Sequence, residues 1–144
     1  MKIAIGCDHG GYELKTKIVE YLDERNYEYN DFGCYSTESV DYPIFARIVA
    51  DKVASGEFDR GILICGTGIG VSIVANKVKG IRCALVHDTK SAEFTRLHND
   101  SNVLAMGGRI IDHQLALEIT KIWLSTEFEG GRHINRINMI ERSQ

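Results

Sequence analysis

The chain has 144 residues, 44% of them hydrophobic and 26% charged, with one proline and a formal net charge of −3. That length fits one domain whose core needs no staple, and the composition excludes disordered, collagenous and repeat-built classes. The acidic balance argues against nucleic acid or an anionic membrane as partner, because both select a basic surface; an anionic ligand must be met by a local group of cations.

Four cysteines, Cys7, Cys34, Cys65 and Cys83, form no C-x-x-C pair and no dense framework, so free thiols in a reducing cytoplasm are expected. The opening Met1-Lys2-Ile3-Ala4-Ile5-Gly6 runs straight into polar residues, so neither a signal peptide nor a membrane span is expected there.

In chain order, short apolar runs at 3–6, 27–32, 61–65, 81–86 and 103–106 read as strands. Gly61-Ile62-Leu63-Ile64 and Cys83-Ala84-Leu85-Val86 are apolar without interruption, as expected where helices cover both faces of a parallel sheet. Helical spacing fills the gaps. Leu14, Ile18, Tyr21 and Leu22 share a face, as do Phe45, Ile48, Val49 and Val53, and again Leu115, Ile119, Ile122 and Trp123. Pro43 suits the first turn of the second helix, and Asp112 is a candidate N-cap for the last of these. Alternating strand and helix predict a single α/β domain over 1–144: a doubly wound, Rossmann-like, three-layer αβα sandwich of about five parallel strands, with ligands at the carboxyl ends of the strands. Residues 130–144, with Arg132, Arg136 and Arg142 among Ile134, Ile137 and Ile140, read as a C-terminal amphipathic helical arm suited to docking.

The richest stretch is Cys65-Gly66-Thr67-Gly68-Ile69-Gly70-Val71-Ser72, which leaves the third strand and opens a helix. Three glycines let backbone amides turn toward a negatively charged oxygen, and the helix N-terminus adds partial positive charge. Three familiar loops fail here. A G-x-G-x-x-G fingerprint needs glycine at 71, a P-loop needs a lysine after the glycines, and a phosphatase-type cysteine loop needs arginine at 71, where Val71 stands. The same helix start favours the thiolate of Cys65, making it a base or a nucleophile, whereas Cys34 and Cys83 read as buried and inert.

Gly6-Cys7-Asp8-His9-Gly10-Gly11 ends the first strand on the same side of the sheet. Asp8 and His9 can bind hydroxyl groups or handle protons; the plainer alternative is an N-cap with a surface histidine. No H-E-x-x-H or cysteine pair supports a metal. His98-Asn99 closes the fourth helix, and Gly107-Gly108-Arg109 follows the fifth strand. His98 titrates near neutral pH and can move protons, or is simply solvated. Arg132 and Arg136, four residues apart, can grip a phosphate or form a basic face.

Together, the motifs at 6–11 and 65–70, Ala75-Asn76-Lys77, His98-Asn99 and Arg132 to Arg136 resemble the B-type ribose-5-phosphate isomerases over essentially the whole chain, and also resemble isomerases of galactose 6-phosphate and allose 6-phosphate. The resemblance implies an aldose–ketose isomerase of the non-oxidative pentose phosphate pathway that works without metal or organic cofactor. It implies Cys65 as proton acceptor and His98 as the residue assisting ring opening. Asp8 and His9 would bind the sugar, and the amides of Gly66, Thr67, Gly68, Ile69 and Gly70 would cradle the oxyanion. Asn99, Arg109, Arg132 and Arg136 would complete the substrate and phosphate site, with Tyr42 beside the ring. The family pattern also implies a homodimer or dimer of dimers with sites shared between subunits.

Overall fold

In the computed structural model, which describes residues 1–142, five strands form one parallel sheet in the order β2-β1-β3-β5-β4. The strands are β1 (Lys2–Cys7), β2 (Glu28–Asp31), β3 (Arg60–Cys65), β4 (Cys83–Leu85) and β5 (Val103–Gly107). The helices are α1 (Tyr12–Glu24), α2 (Tyr42–Ala54), α3 (Ile69–Asn76), α4 (Thr89–Asn99), α5 (His113–Ser125) and α6 (Arg132–Arg142), with a 3-10 turn at His9–Gly11. The predicted αβα sandwich is what forms. Ser143 and Gln144, the end of the expected arm, lie outside the described residues.

Alternation along the strands sorts side chains into two cores. Ile3, Ile5, Ile62, Ile64, Leu104 and Met106 face one side, where Leu14, Ile18 and Leu22 of α1, Ala92 of α4 and Ile119 and Trp123 of α5 cover them. Ala4, Leu63, Cys65, Val103 and Ala105 face the other, under α2 and α3. Trp123 is fully buried, and its indole N–H donates to Ser101 Oγ at 2.9 Å, so its polar atom carries no desolvation penalty.

The second layer is closer-packed than the sequence reading expects. The α2 face is centred on Ala46, Val49, Ala50 and Val53, while Phe45 and Ile48 are only half-buried. Small residues beneath explain it: a Cβ on Gly6 would lie 2.9 Å from Val49 Cγ2, and one on Gly61 would lie 2.9 Å from Val49 Cγ1. Two glycines thus admit one β-branched side chain.

One further expectation is corrected, and the C-terminal helix forms as expected. The apolar run at 81–86 yields only a three-residue edge strand, half-buried at Cys83 and Ala84 and 39% exposed at Leu85, because β4 ends the sheet among the described residues. In α6, Ile137 is buried with His133, but Ile134 and Ile140 are about half exposed. Arg82 Nη1 pairs with Glu141 at 2.5 Å and its Nη2 donates to Asp100 O at 2.9 Å, which ties α6 to the start of β4 and the end of α4. The capping expectations hold: Asp112 Oδ1 accepts from Leu115 N at 2.8 Å, and Pro43 lies in the first turn of α2. No described helix is long and apolar enough to cross a membrane.

Overpacking costs about 1–3 kcal/mol, so Gly61→Ala is expected to lower stability in urea unfolding by that order. Val49→Ala in the same chain should recover part of the loss; additive losses in the double variant would contradict the packing argument.

Candidate functional site

Three strand ends meet at one level. In the ladder, Cys65 is opposite Gly107 and Ile64 is opposite Cys7. Beyond the strands the stitching continues: Asp8 N donates to Ile64 O at 3.2 Å, Gly108 N to Cys65 O at 2.8 Å and Arg109 N to Gly66 O at 2.9 Å. The loops carrying Asp8, Cys65 and Arg109 therefore form one floor.

Cys65 is 4% exposed and directed to the α2 and α3 side. Gly68 turns the chain with φ +76°, and a Cβ there would meet Leu85 Cδ1 at 2.6 Å and the Met106 carbonyl carbon at 2.7 Å. That turn aims the Gly68 N–H at the sulfur, with N···Sγ 3.1 Å, at the N-terminus of α3. The sulfur is thus held by one fixed backbone donor. Thr67 Oγ1 accepts from Ile69 N at 3.2 Å, stabilising the first turn. The Tyr42 ring lies against Gly70, where a Cβ would come within 2.6 Å of Cζ.

The other cysteines differ. Burial pushes the Cys7 thiol up to about 12, with Lys15 opposing and Cys34 adding to the effect; its sulfur lies 3.9 Å from that of Cys34. Desolvation pushes Cys83 up to about 12 as well.

Asp8, 7% exposed, uses Oδ1 to accept from Gly10 N at 2.8 Å and Gly11 N at 3.2 Å, so it does cap the 3-10 turn. His9 Nδ1 accepts from Val40 N at 3.1 Å. An accepting Nδ1 leaves the proton of a neutral imidazole on Nε2, which makes that edge a donor. Beside it a cavity of about 260 Å³ is lined by His9, Gly10, Glu13, Thr37, Gly108 and Arg109. The guanidinium of Arg109 lies close over Gly66, where a Cβ would meet Nη1 at 3.3 Å. Sequence reasoning missed Glu13, Thr37 and His87. His87 Nε2 accepts from Gly107 N at 3.2 Å and supports the same floor. Its one sequence signal is a polar residue just past a strand end.

The remaining candidates are elsewhere. Helix α4 runs back antiparallel to the sheet, so His98 and Asn99 end at the amino ends of the strands. Asn99 O accepts from Arg82 Nε at 2.9 Å, and Asn102 Oδ1 accepts from Arg82 N at 2.8 Å, both beside the starts of β4 and β5. Arg132 and Arg136 are exposed on α6 at that same end. One chain thus places His98, Asn99, Arg132 and Arg136 a strand length from Cys65, on the order of 15 Å. The expected site residues fall into two groups at opposite ends of the sheet of one chain, as an expectation of sites shared between subunits requires. A larger cavity of about 570 Å³, lined by Arg82, Cys83, Thr95 and Asn99 among others, belongs to the amino end.

Fold and loops together define a class: doubly wound α/β proteins that handle small anionic molecules where their strands end. Comparison with known proteins narrows it. Residues 3–140 match the family described as Ribose/Galactose Isomerase. The ribose-5-phosphate isomerase B of Escherichia coli is 52% identical over 139 residues, covering 96% of this chain and 93% of that protein. A ribose-5-phosphate isomerase B structure from Clostridium thermocellum superposes with a TM-score of 0.98 at 54% identity, covering 99% of this chain and 97% of that one. The Mycoplasma genitalium enzyme with bound ribulose-5-phosphate gives a TM-score of 0.95 at 44% identity, covering 99% and 95%. The chain belongs to the ribose/galactose isomerase family and is an aldose–ketose isomerase.

The thiol environments predict an order of reaction. Under limiting iodoacetamide at mildly alkaline pH, mass mapping should find Cys65 alkylated while Cys7 and Cys83 remain unmodified. Equal labelling of all three would refute the role given to the Gly68 amide.

Proposed function

We propose that the chain interconverts D-ribose 5-phosphate and D-ribulose 5-phosphate in the non-oxidative pentose phosphate pathway, by proton transfer through an enediolate in a site built from two copies. The observation that carries the reading is the Cys65 sulfur held by the Gly68 amide at a helix N-terminus. The bound ribulose-5-phosphate of the Mycoplasma genitalium relative supports a five-carbon substrate.

In the proposed reaction His98 assists opening of the furanose. The Cys65 thiolate then takes the proton from C2 of the open aldehyde. The released electron pair forms the C1–C2 double bond and the carbonyl electrons move to O1, where the amides of Gly66 to Gly70 meet the new charge. The thiol returns the proton to C1 while the O2 proton passes to O1, leaving the ketose. Charge leaves sulfur as it grows on oxygen, so one set of amides serves both states and no metal ion enters any step. Asp8 and the Nε2–H of His9 bind sugar oxygens, with Tyr42 and Thr67 beside the ring. Arg109 pairs with the phosphate.

A second copy has to supply His98, Asn99, Arg132 and Arg136, since a single chain holds them at the opposite end of its sheet from Cys65. The homodimer is accordingly part of the proposal, and the exposed apolar Ile69, Ile73, Leu85 and Phe94 are compatible with a partner.

Purified protein should interconvert the two pentose phosphates with EDTA present, and Cys65→Ala should fold but lose about 10²- to 10⁴-fold in kcat, the range of a general base. Retained activity in that variant would point to another base, and preference for a six-carbon phosphate would move the substrate. Loss of a charge-assisted phosphate contact in Arg136→Ala should raise KM by about tenfold or more. Co-refolding Cys65→Ala with His98→Asn should restore about a quarter of wild-type activity, because half the dimers are mixed and each has one intact site. No restoration would refute the shared site.

A further inference from the structure

Around His98 stand three side chains that the reaction above leaves without a task. Phe94, one turn earlier on α4, stacks on one face of the imidazole with centroids 5.1 Å and planes 10° apart. His133 of α6 also stacks on the His98 ring, at 4.5 Å and 18°. His133 is 6% exposed, and its buried Nε2 has no hydrogen-bond partner among the described residues. Glu129 Oε2 lies 3.8 Å from His98 Nε2 and 3.7 Å from His133 Nε2. The backbone of Glu129 is fixed by its N–H donating to Leu97 O at 3.1 Å, whereas its side chain is 56% exposed and free to close the remaining gap.

Two imidazoles and a carboxylate whose donor atoms lie within 4.8 Å of one another are also metal-type ligands. Their geometry does not suit a cation. Tetrahedral zinc with bonds of about 2.0–2.2 Å needs its donors nearer together than these stand. An imidazole lone pair also lies in the ring plane, so two nearly parallel stacked rings cannot aim at one point.

We propose that Phe94, His133 and Glu129 are positioning residues for His98: the two rings fix the plane of its imidazole, and the carboxylate fixes which edge meets the sugar. This inference rests on the reading of His98 as the ring-opening group. With Nε2–H turned to Glu129, an imidazolium keeps Nδ1–H to give to the ring oxygen. The bond from C1 to the ring oxygen breaks, that oxygen keeps the electron pair and takes the proton, and O1 releases its own proton to water as the carbonyl forms. The carboxylate stabilises the cationic ring before transfer and the correct tautomer after it, as the orienting acid does in a catalytic triad. Burial, and His98 beside it, hold His133 below the ordinary histidine range. Arg132 and Arg136 add positive charge around His133, leaving Glu129 as the carboxylate acting on both rings.

The test compares Glu129→Gln, Glu129→Asp, His133→Asn and Phe94→Leu in two assays. Turnover of cyclic ribose 5-phosphate needs ring opening, whereas wash-in of solvent deuterium at C1 of ribulose 5-phosphate, an open-chain ketose, needs only the base. The proposal expects kcat on ribose 5-phosphate to fall about tenfold or more with KM within about twofold, deuterium wash-in to stay within about threefold of wild type, and Glu129→Asp to recover part of the loss. A parallel fall in both assays, an unchanged kcat or a raised KM alone would overturn it. So would one equivalent of zinc retained by wild type through dialysis and lost from Glu129→Gln and His133→Asn.

A readout independent of turnover separates this inference from the functional reading. Proton NMR of wild type should show the His98 ring protons shifted upfield by the flanking rings, with the shift collapsing in His133→Asn and Phe94→Leu. That signature in a protein without isomerase activity would remove the functional reading and keep the positioning; unshifted His98 protons would overturn the positioning whatever the activity.

Discussion

The site depends on the placement of β3 between β1 and β5. A central parallel strand has its ends fixed on both sides, and here the ladder continues beyond the sheet through Asp8 N to Ile64 O, Gly108 N to Cys65 O and Arg109 N to Gly66 O. Shifting β3 by one residue would turn Cys65 to the α1 and α5 layer and aim Ile64 at the amides of α3, because successive side chains of a strand face opposite ways. The apolar alternation of β3 thus holds the Cys65 sulfur in place through hydrophobic burial, before any ligand is present.

Close packing on the α2 side extends that control. With Gly6 and Gly61 beneath Val49, α2 sits low on the sheet, and its first residue, Tyr42, reaches the first turn of α3 at Gly70. One helix therefore seals the core at its middle and packs on the start of α3 at its own start.

The features legible in the sequence were those with short-range signals. The glycines of 66–70 are readable because a turn and a helix start are local events, and Asp112 and Pro43 for the same reason. The face of α2 misled because alanines carry little apolar signal, although they take the buried positions where a helix approaches closely. The 81–86 run misled because an apolar composition does not report whether a strand is central or at an edge. His9 and His87 acquire their directions from Val40 and Gly107, 31 and 20 residues away, which no window along the chain contains. The division of the site was deducible in principle. In a right-handed crossover the helix returns to where its strand began, so a residue at the end of α4 belongs to the opposite pole from one at the end of β3. The resemblance supplied the residues, and topology decides their address.

That two-pole arrangement ties reactivity to association. Under the proposed reading each chain carries both halves of a site but cannot bring its own halves together, so a lone chain is folded and incompetent, and two chains joined about a twofold axis complete two sites at once. Dilution below the dissociation constant would then switch off chemistry without unfolding anything, and turnover per chain would rise with concentration until pairing saturates. On that reading the lone chain would also lack the arginines that complete phosphate binding, so substrate would be held only where it can be processed.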